Sequence, residues 1–151
     1  MAASDPITTT KRCGSENEPV VLVDTSVWLD FIAGRGVAAV ARLRELLDRG
    51  GAVVITAQIF QEILQGADSE RKFREFVSYF GSQRFLHPKH PIATYASAAR
   101  LYFDCRRAGV TVRSSVDCTI AQIALEHGAA LLHNDQDFAR IAKVAPQLKF
   151  A

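Results

Sequence analysis

The chain has 151 residues, of which 48% are hydrophobic, 23% charged and 9% aromatic. This composition excludes a disordered, collagen-like or low-complexity chain, and the length favours one compact domain. Lysine and arginine total 18 against 16 acidic residues, a net charge of +2, which is too small for a protein that coats nucleic acid by charge alone. Any contact with a nucleic acid must therefore be local.

The cysteines and apolar segments bear on the cellular compartment. Cys13, Cys105 and Cys118 form no CxxC pair and are odd in number, which argues against a disulfide scaffold or a zinc knuckle. No apolar run reaches the roughly 18 residues that span a bilayer, and the start of the chain lacks the hydrophobic segment of a signal peptide. We therefore expect a cytoplasmic protein without membrane contact.

The hydrophobic pattern predicts strands alternating with helices. Residues 1–19 are polar and without periodicity, which predicts a flexible N-terminal arm followed by one domain over 20–151. Continuous apolar runs predict buried strands at 20–23, 52–55 and 129–132. Apolar spacing and capping residues predict helices over 27–32, 37–49, 56–66, 69–80, 91–109, 114–128 and from Asp135 or Asp137 to before Pro146. The alternation implies an α/β fold with a mainly parallel sheet covered on both faces.

Acidic residues follow the predicted strands. Asp24 comes directly after the first strand, and Asp135 comes after the strand at 129–132. Glu62 lies about two turns into the helix after the second strand, and Asp117 lies in the first turn of the helix that Ser114 opens. Because ligands of open α/β sheets bind beyond the carboxyl ends of the strands, these side chains are the candidate functional residues.

Each acid also has an ordinary structural explanation. Ser114-Ser115-Val116-Asp117 matches a capping box, in which Asp117 complements the helix dipole. The aspartates at 24, 135 and 137 are acceptable helix-start residues, and Glu62 fits a solvated helix position. Taken singly, none of the acids establishes a function.

Convergence of the acids at one sheet edge changes this balance. Carboxylates held close together repel one another, so they either raise some pKa values or bind a divalent cation, for which Mg²⁺ and Mn²⁺ suit oxygen ligands. Such sites serve phosphoryl transfer, because a cation neutralises phosphate charge and promotes ionisation of water. The sequence contains no competing nucleophile motif and no glycine-rich phosphate loop.

Four blocks of residues carry a resemblance to a known family. They are VDTSVW at 23–28, QEILQG at 61–66, RSSVDC at 113–118 and NDQDF at 134–138. In this order they resemble the PIN domain and, more narrowly, the VapC-type toxins of prokaryotic toxin–antitoxin pairs, over residues 20–150. The resemblance implies a three-layer α/β/α sandwich and an endoribonuclease that depends on Mg²⁺ or Mn²⁺.

The same resemblance implies roles for the acids. Asp24, Asp117 and Asp135 would be metal ligands, directly or through water, and Glu62 would orient the attacking water or act as a base. Ser26 would hold Asp24 or a phosphate. Asp137 is the rival of Asp135, ranked below it because Asp135 is closer to the strand end.

Two further residues are candidates near the acids. His133 stands where many relatives have Thr or Ser, and the ordinary interpretation is a supporting edge residue rather than a catalytic one. Arg113 precedes the Asp117 helix and is our candidate phosphate clamp, because a guanidinium binds phosphate bidentately. Phe73, Phe76 and Phe80 recur at helical spacing, which favours core or a dimer interface over base stacking.

The family resemblance also implies partners. They are an RNA substrate, a second copy in a homodimer, and a small antitoxin protein, VapB-like, whose basic side chain satisfies the acids. A catalytically silent PIN-like module that binds RNA or a protein is the alternative. A haloacid dehalogenase-type phosphatase fits poorly, because Ser26 stands where its second aspartate belongs, and a response-regulator receiver lacks its acidic pair and lysine.

Overall fold

The computed structural model describes residues 18–151, so the predicted N-terminal arm lies almost entirely outside the described residues. Five strands run over these bounds: β1 Val21–Val23, β2 Val53–Ile55, β3 Arg84–Phe85, β4 Ala130–Leu132 and β5 Lys149–Phe150. The helices of this part of the chain are α1 Thr25–Ile32, α2 Ala38–Asp48, α3 Ala57–Gln65, α4 Glu70–Gly81, α5 Ala93–Arg107, α6 Ser115–His127 and α7 Gln136–Ala142.

The strands form one parallel sheet in the order β3-β2-β1-β4-β5. Right-handed crossovers that step from β1 towards β3 place their helices on one face, and those that step back to β4 and β5 place theirs on the other. The contacts agree, since α1 packs on α2 and α3, α3 on α4, and α6 on α5 and α7. The predicted α/β sandwich with a parallel sheet is therefore confirmed.

The sheet order positions the site. The chain leaves β1 towards β2 on one side and returns to β4 on the other, so the strand order reverses between β1 and β4. At such a reversal the loops after the two strands diverge to opposite faces and leave a crevice at their carboxyl ends. Asp24 follows β1 and His133 follows β4, so the predicted acidic region lies at this crevice.

Apolar burial holds the central strands in place. Every residue of β1, β2 and β4 is buried, and Leu22, Val54 and Leu131 are 0% exposed. A fully buried aliphatic side chain contributes about 1.5–3 kcal/mol relative to exposure. On one face the indole of Trp28 is also fully buried, with its ring centroid 5.0 Å from that of Phe80. The carboxyl ends of the strands are therefore a rigid platform.

Helix starts follow the predicted caps with one exception. The hydroxyls of Thr56, Ser69 and Ser114 accept hydrogen bonds from backbone amides of α3, α4 and α6. Helix α5 begins at Ala93, so the prediction that Pro91 lies in its first turn is wrong. Pro91 and Ile92 form a turn just before the helix.

Strands β3 and β5 were not predicted from the sequence. Each has only two residues at an edge of the sheet, and Arg84, Lys149 and Phe150 are exposed, so neither strand has a continuous apolar run. Among residues 18–151 no helix is both long enough and apolar enough to cross a bilayer.

Candidate active site

Asp24 is fixed where β1 passes into α1. Its backbone amide donates to the carbonyl of Leu132, 2.9 Å away, which ties the end of β1 to that of β4. Its carboxylate Oδ2 caps α1 by accepting from the amide of Ser26 at 3.1 Å and from the Ser26 hydroxyl at 2.6 Å. Burial raises the pKa of Asp24, and the bonds from Ser26 oppose that rise. Asp24 is thus both a helix cap and a buried member of the acidic site.

Ser26 connects this carboxylate to the loop after β4. Its hydroxyl oxygen accepts from the amide of Asn134 at 3.1 Å, so its single proton is directed to Asp24. The side-chain amide of Asn134 donates to Asp30 of α1 at 2.7 Å, and the other oxygen of Asp30 accepts from Arg35 at 2.8 Å. These bonds anchor the loop that carries the next acids against α1.

Asp117 lies in the first turn of α6. Ser114 caps α6 through the amide of Val116, whereas the Asp117 carboxylate accepts no hydrogen bond and forms no ion pair within residues 18–151. The reciprocal half of the predicted capping box is therefore missing. Burial raises the pKa of Asp117 to about 7, with the charge of Asp24 as the next cause, followed by Asp135, Asp137 and Glu62.

Glu62 reaches the site from α3, which packs against α1. The hydroxyl of Thr56 caps this helix by accepting from the amide of Ile59 at 3.2 Å. Glu62 is half-buried, and burial raises its pKa, with a smaller upward contribution from the charge of Asp24. Its raised pKa makes the Glu62 carboxylate a stronger base than an ordinary glutamate.

Asp135 and Asp137 differ in how their oxygens are used. Asp135 caps α7, since its Oδ1 accepts from the amide of Asp137 at 3.0 Å, while its Oδ2 accepts no hydrogen bond from the described residues. Both oxygens of the buried Asp137 are engaged, Oδ2 by the amide of Arg113 at 3.0 Å and Oδ1 by Arg140 at 2.9 Å. Burial opposes ionisation of Asp137, but these bonds and the charge of Arg113 hold its pKa below the usual range.

The guanidinium of Arg113 forms ion pairs with two of the acids. Its Nη2 is 2.9 Å from Asp135 Oδ1 and its Nε is 3.3 Å from Asp137 Oδ2, while two-thirds of the side chain stays exposed. The charges of Asp137 and Asp135 raise the pKa of Arg113. The guanidinium therefore joins two aspartates and keeps an open side towards solvent.

His133 supports the loop before Asp135. Its Nδ1 accepts from the backbone amide of Asp135 at 3.2 Å, and its ring lies against Phe138 and Phe150, with centroids 5.3 and 4.7 Å away. Burial lowers the pKa of His133, which favours the neutral imidazole that this bond requires. The imidazole of His133 thus has a structural role, in line with the supporting role expected from the sequence.

The carboxylates fit a divalent cation. One ligand oxygen each from Asp117, Asp135 and Asp137 lie within 4.8 Å of one another. They line an open cleft of about 350 Å³ together with Glu62, Ser114 and Arg113. Oxygen ligands of this kind suit Mg²⁺ or Mn²⁺. The trio includes Asp137 where we expected Asp24, which lies just outside it but still raises the pKa of Asp117.

Two supporting side chains, Asp30 and Asn134, were missed by the sequence analysis. Asp30 is the one charged residue of the helix TSVWLDFI, and its spacing of four residues from Ser26 places both on one face. A buried acid in such a helix requires a hydrogen-bond or ion-pair partner, so the pattern itself indicates that Asp30 has a supporting role. The identity of that partner depends on the tertiary fold, because Asn134 lies 104 residues later in the chain.

Known proteins resemble this chain over most of its length. The family profile of the PIN domain matches residues 21–144. The VapC ribonuclease Mb1587 of Mycobacterium bovis is 35% identical over 126 residues, which cover 83% of this chain and 93% of that protein. Ribonuclease VapC11 of Mycobacterium tuberculosis shows the same identity and coverage.

Solved structures share the fold. VapBC2 from Rickettsia felis, bound to a promoter DNA fragment, has a TM-score of 0.65 at 17% identity, covering 87% of this chain and 97% of the other. VapBC-1 from nontypeable Haemophilus influenzae has a TM-score of 0.64 at 20% sequence identity, covering 87% of this chain and 96% of the other. FitAcB from Neisseria gonorrhoeae has a TM-score of 0.60 at 18% sequence identity, covering 87% of this chain and 97% of the other. With the PIN match and the identity to the two mycobacterial proteins, the chain belongs to the PIN-domain family and, within it, to the VapC ribonucleases.

Proposed function

We propose that this chain is the toxin of a toxin–antitoxin pair and an endoribonuclease that hydrolyses RNA phosphodiester bonds with Mg²⁺ or Mn²⁺. Asp117 carries the proposal, because its carboxylate has no structural partner within residues 18–151 and its pKa is raised to about 7 among four other acids. A structural role would give such a group a partner, whereas a metal ligand must keep its oxygens available. The 35% identity to VapC ribonucleases supports the same activity.

We assign Asp117 and Asp135 to the metal as direct ligands, and Asp24, which lies outside the cluster of close carboxylates but acts electrostatically on Asp117, as a ligand through water. The free Oδ2 of Asp135 and both oxygens of Asp117 are available to a cation, whereas Asp137 is committed to two arginines. Asp137 is therefore the weaker candidate ligand, as its greater distance from the end of β4 along the chain also indicates. A divalent cation bound here would neutralise phosphate charge and make water a better nucleophile.

The remaining site residues act on water and phosphate. The raised pKa of Glu62 suits it to orient the attacking water and to accept its proton. The exposed side of the Arg113 guanidinium is available to a phosphate oxygen while Asp135 and Asp137 hold its other side. Ser26 keeps the Asp24 carboxylate oriented through its 2.6 Å hydrogen bond.

A small VapB-like antitoxin is the proposed protein partner, within a homodimer or a larger toxin–antitoxin assembly. The structural neighbours include VapBC proteins, and α1 and α4 of this chain carry exposed apolar side chains that suit a protein interface. These side chains are 40–45% exposed and are Leu29, Ile32, Phe73, Val77 and Tyr79. Phe80 of the predicted aromatic series is in the core, whereas Phe73 is on this surface.

The buried free thiols of Cys105 and Cys118 suit a reducing cytoplasm.

The test is cleavage of RNA by the purified chain with Mg²⁺ or Mn²⁺, with and without EDTA. Asp117→Asn removes a charge without changing shape, and we expect it to lower the cleavage rate at least a hundredfold. Glu75→Gln is the matched control, because Glu75 pairs with Arg71 on α4 outside the acidic cleft. Cleavage that survives both EDTA and Asp117→Asn would refute the proposal.

The catalytically silent module stays the second candidate. The ion pairs of Arg113 with Asp135 and Asp137 favour it, because an internal cation already offsets part of the acidic charge. A folded protein that binds RNA or an antitoxin, yet cleaves no RNA in a broad panel of transfer, ribosomal and messenger RNAs, would support this candidate instead.

A further inference from the structure

A second cleft adjoins the acidic one. It measures about 360 Å³ and is lined by the turn at 109–111, Arg113, Arg140 and Lys143. We call it the basic cleft, because its charged lining residues are all cationic. Arg113 lines both clefts, so a bound chain can pass from one to the other along a single guanidinium.

Asp137 holds two of the three cations in place. Its carboxylate is 1% exposed and accepts from Arg113 Nε at 3.3 Å and from Arg140 Nη1 at 2.9 Å. The two guanidiniums are therefore fixed side by side on one buried anion, while 67% of the Arg113 side chain and 37% of the Arg140 side chain are exposed. Because Asp137 already fixes the position of both guanidiniums, they lose little conformational entropy when their remaining N–H donors bind an oxyanion.

Lys143 supplies the third cation. It directly follows α7, is exposed, and forms no ion pair with any residue of the described part of the chain. Asp137 and Asp135 together offset two of the three positive charges, and Lys143 has no ion-pair partner among the described residues, so the basic cleft keeps a positive potential beside the acidic cleft. Such a potential attracts a polyanion that the neighbouring carboxylates repel.

We infer that the basic cleft is a phosphate subsite, which binds an RNA phosphate flanking the one held at the acids. The inference rests on the proposed function. Phosphates recur at every nucleotide, so a strand with one phosphate at the acids presents the next ones to the adjoining cleft. Phosphate contacts position a strand without reading its sequence, and they give binding its salt dependence. Asp137 then serves as a positioning residue for the two arginines.

The probe is a fluorescein-labelled 20-nucleotide single-stranded RNA of mixed sequence, with binding measured by anisotropy in Mg²⁺ at several salt concentrations. The full chain with Asp117→Asn is the parent, so that the RNA stays intact. Each phosphate contact on a single strand contributes about 0.7 to the slope of log K against log salt. We therefore expect Lys143→Ala to reduce the slope by about 0.7 and to weaken binding, whereas Lys143→Arg retains both.

The matched control is Lys89→Ala. The amide of Lys89 donates to Glu126, which lies near the far end of α6, about 13 Å along the helix axis from Asp117. An unchanged slope for Lys143→Ala, or an equal reduction for Lys89→Ala, would overturn the subsite while leaving the proposed function intact. A parent chain that binds no RNA, together with a wild-type chain that cleaves none, would overturn both.

Discussion

The acids of the site differ in what else they do for the fold. Asp24 and Asp135 cap helices, Asp137 anchors two arginines, and Asp117 has no such partner within residues 18–151. For the two capping aspartates the structural explanation is therefore correct, and capping through one oxygen leaves the second oxygen of Asp135 available for the metal role that we propose. For Asp117 the capping box was only half right, because the rotamer of one side chain is not encoded in the spacing of four residues.

Asp117 makes stability depend on pH. Because its pKa is raised from 3.8 to about 7, the folded chain between these values holds a proton that the unfolded chain has lost. The free energy of unfolding therefore falls as pH rises through this window. In EDTA we expect Asp117→Asn to raise the free energy of unfolding by about 1–2 kcal/mol at pH 8 and by only about a third of that at pH 5, which lies early in this window. Urea unfolding at both values is the measurement, and an equal effect at both would contradict the raised pKa.

Asp30 is predicted to hold the loop after β4, which carries Asn134 and Asp135, in position at the site. Asp30→Ala removes the acceptor of the Asn134 side chain, so the loop that bonds to Ser26 loses its anchor on α1. Changes to groups that orient metal ligands cost about 10- to 100-fold in metal affinity or activity, and we expect a loss of cleavage in that range.

The control for this variant is Arg35→Ala. Arg35 is 69% exposed and bonds the opposite oxygen of Asp30, so its removal leaves the bond to Asn134 in place. We expect less than a threefold change in rate from an exposed partner. Equal losses for the two variants would show that Asp30 acts on stability alone, and thermal melting of both proteins would confirm that reading.

At the scale of elements, the sequence predicted the strands that are buried in the centre of the sheet and missed the short strands at its two edges. The central strands were found because they are continuous apolar runs that are buried on both faces. Strands β3 and β5 have two residues each and depend on pairing with β2 and β4, which no local pattern records. The pairing of Arg113 with Asp135 and Asp137 is also non-local, since the partners lie 22 and 24 residues later.

Gly128 links the helix of Asp117 to β4. It caps α6 in the left-handed region, at φ 60°, where a β-carbon is strained even though nothing lies within 4 Å of it. We expect Gly128→Ala to lower the free energy of unfolding by about 1 kcal/mol. Gly36→Ala is the control, because its β-carbon also meets nothing within 4 Å and its φ is outside that region. Chemical denaturation that ranks the two variants equally would contradict this explanation.

At the scale of the whole molecule, the net charge of +2 conceals two opposed regions. The acidic cleft at the ends of β1 and β4 adjoins the basic cleft, with Arg113 between them. A near-neutral chain is therefore compatible with an RNA substrate, provided that a cation offsets the acids. The sequence predicted the acids and their edge of the sheet, but the position of the basic cleft required the tertiary contacts of α7.

The central claim is that these carboxylates bind a divalent cation, and calorimetric titration of Mn²⁺ into the metal-free full chain tests it most directly. We predict saturable binding of Mn²⁺. Asp117→Asn weakens this binding at least tenfold, whereas Glu75→Gln leaves it unchanged. The affinity also increases from pH 6 to pH 8, because Asp117 loses its proton over this range. An affinity for Mn²⁺ that is the same in wild type and Asp117→Asn, or no binding by the wild type, would contradict the account.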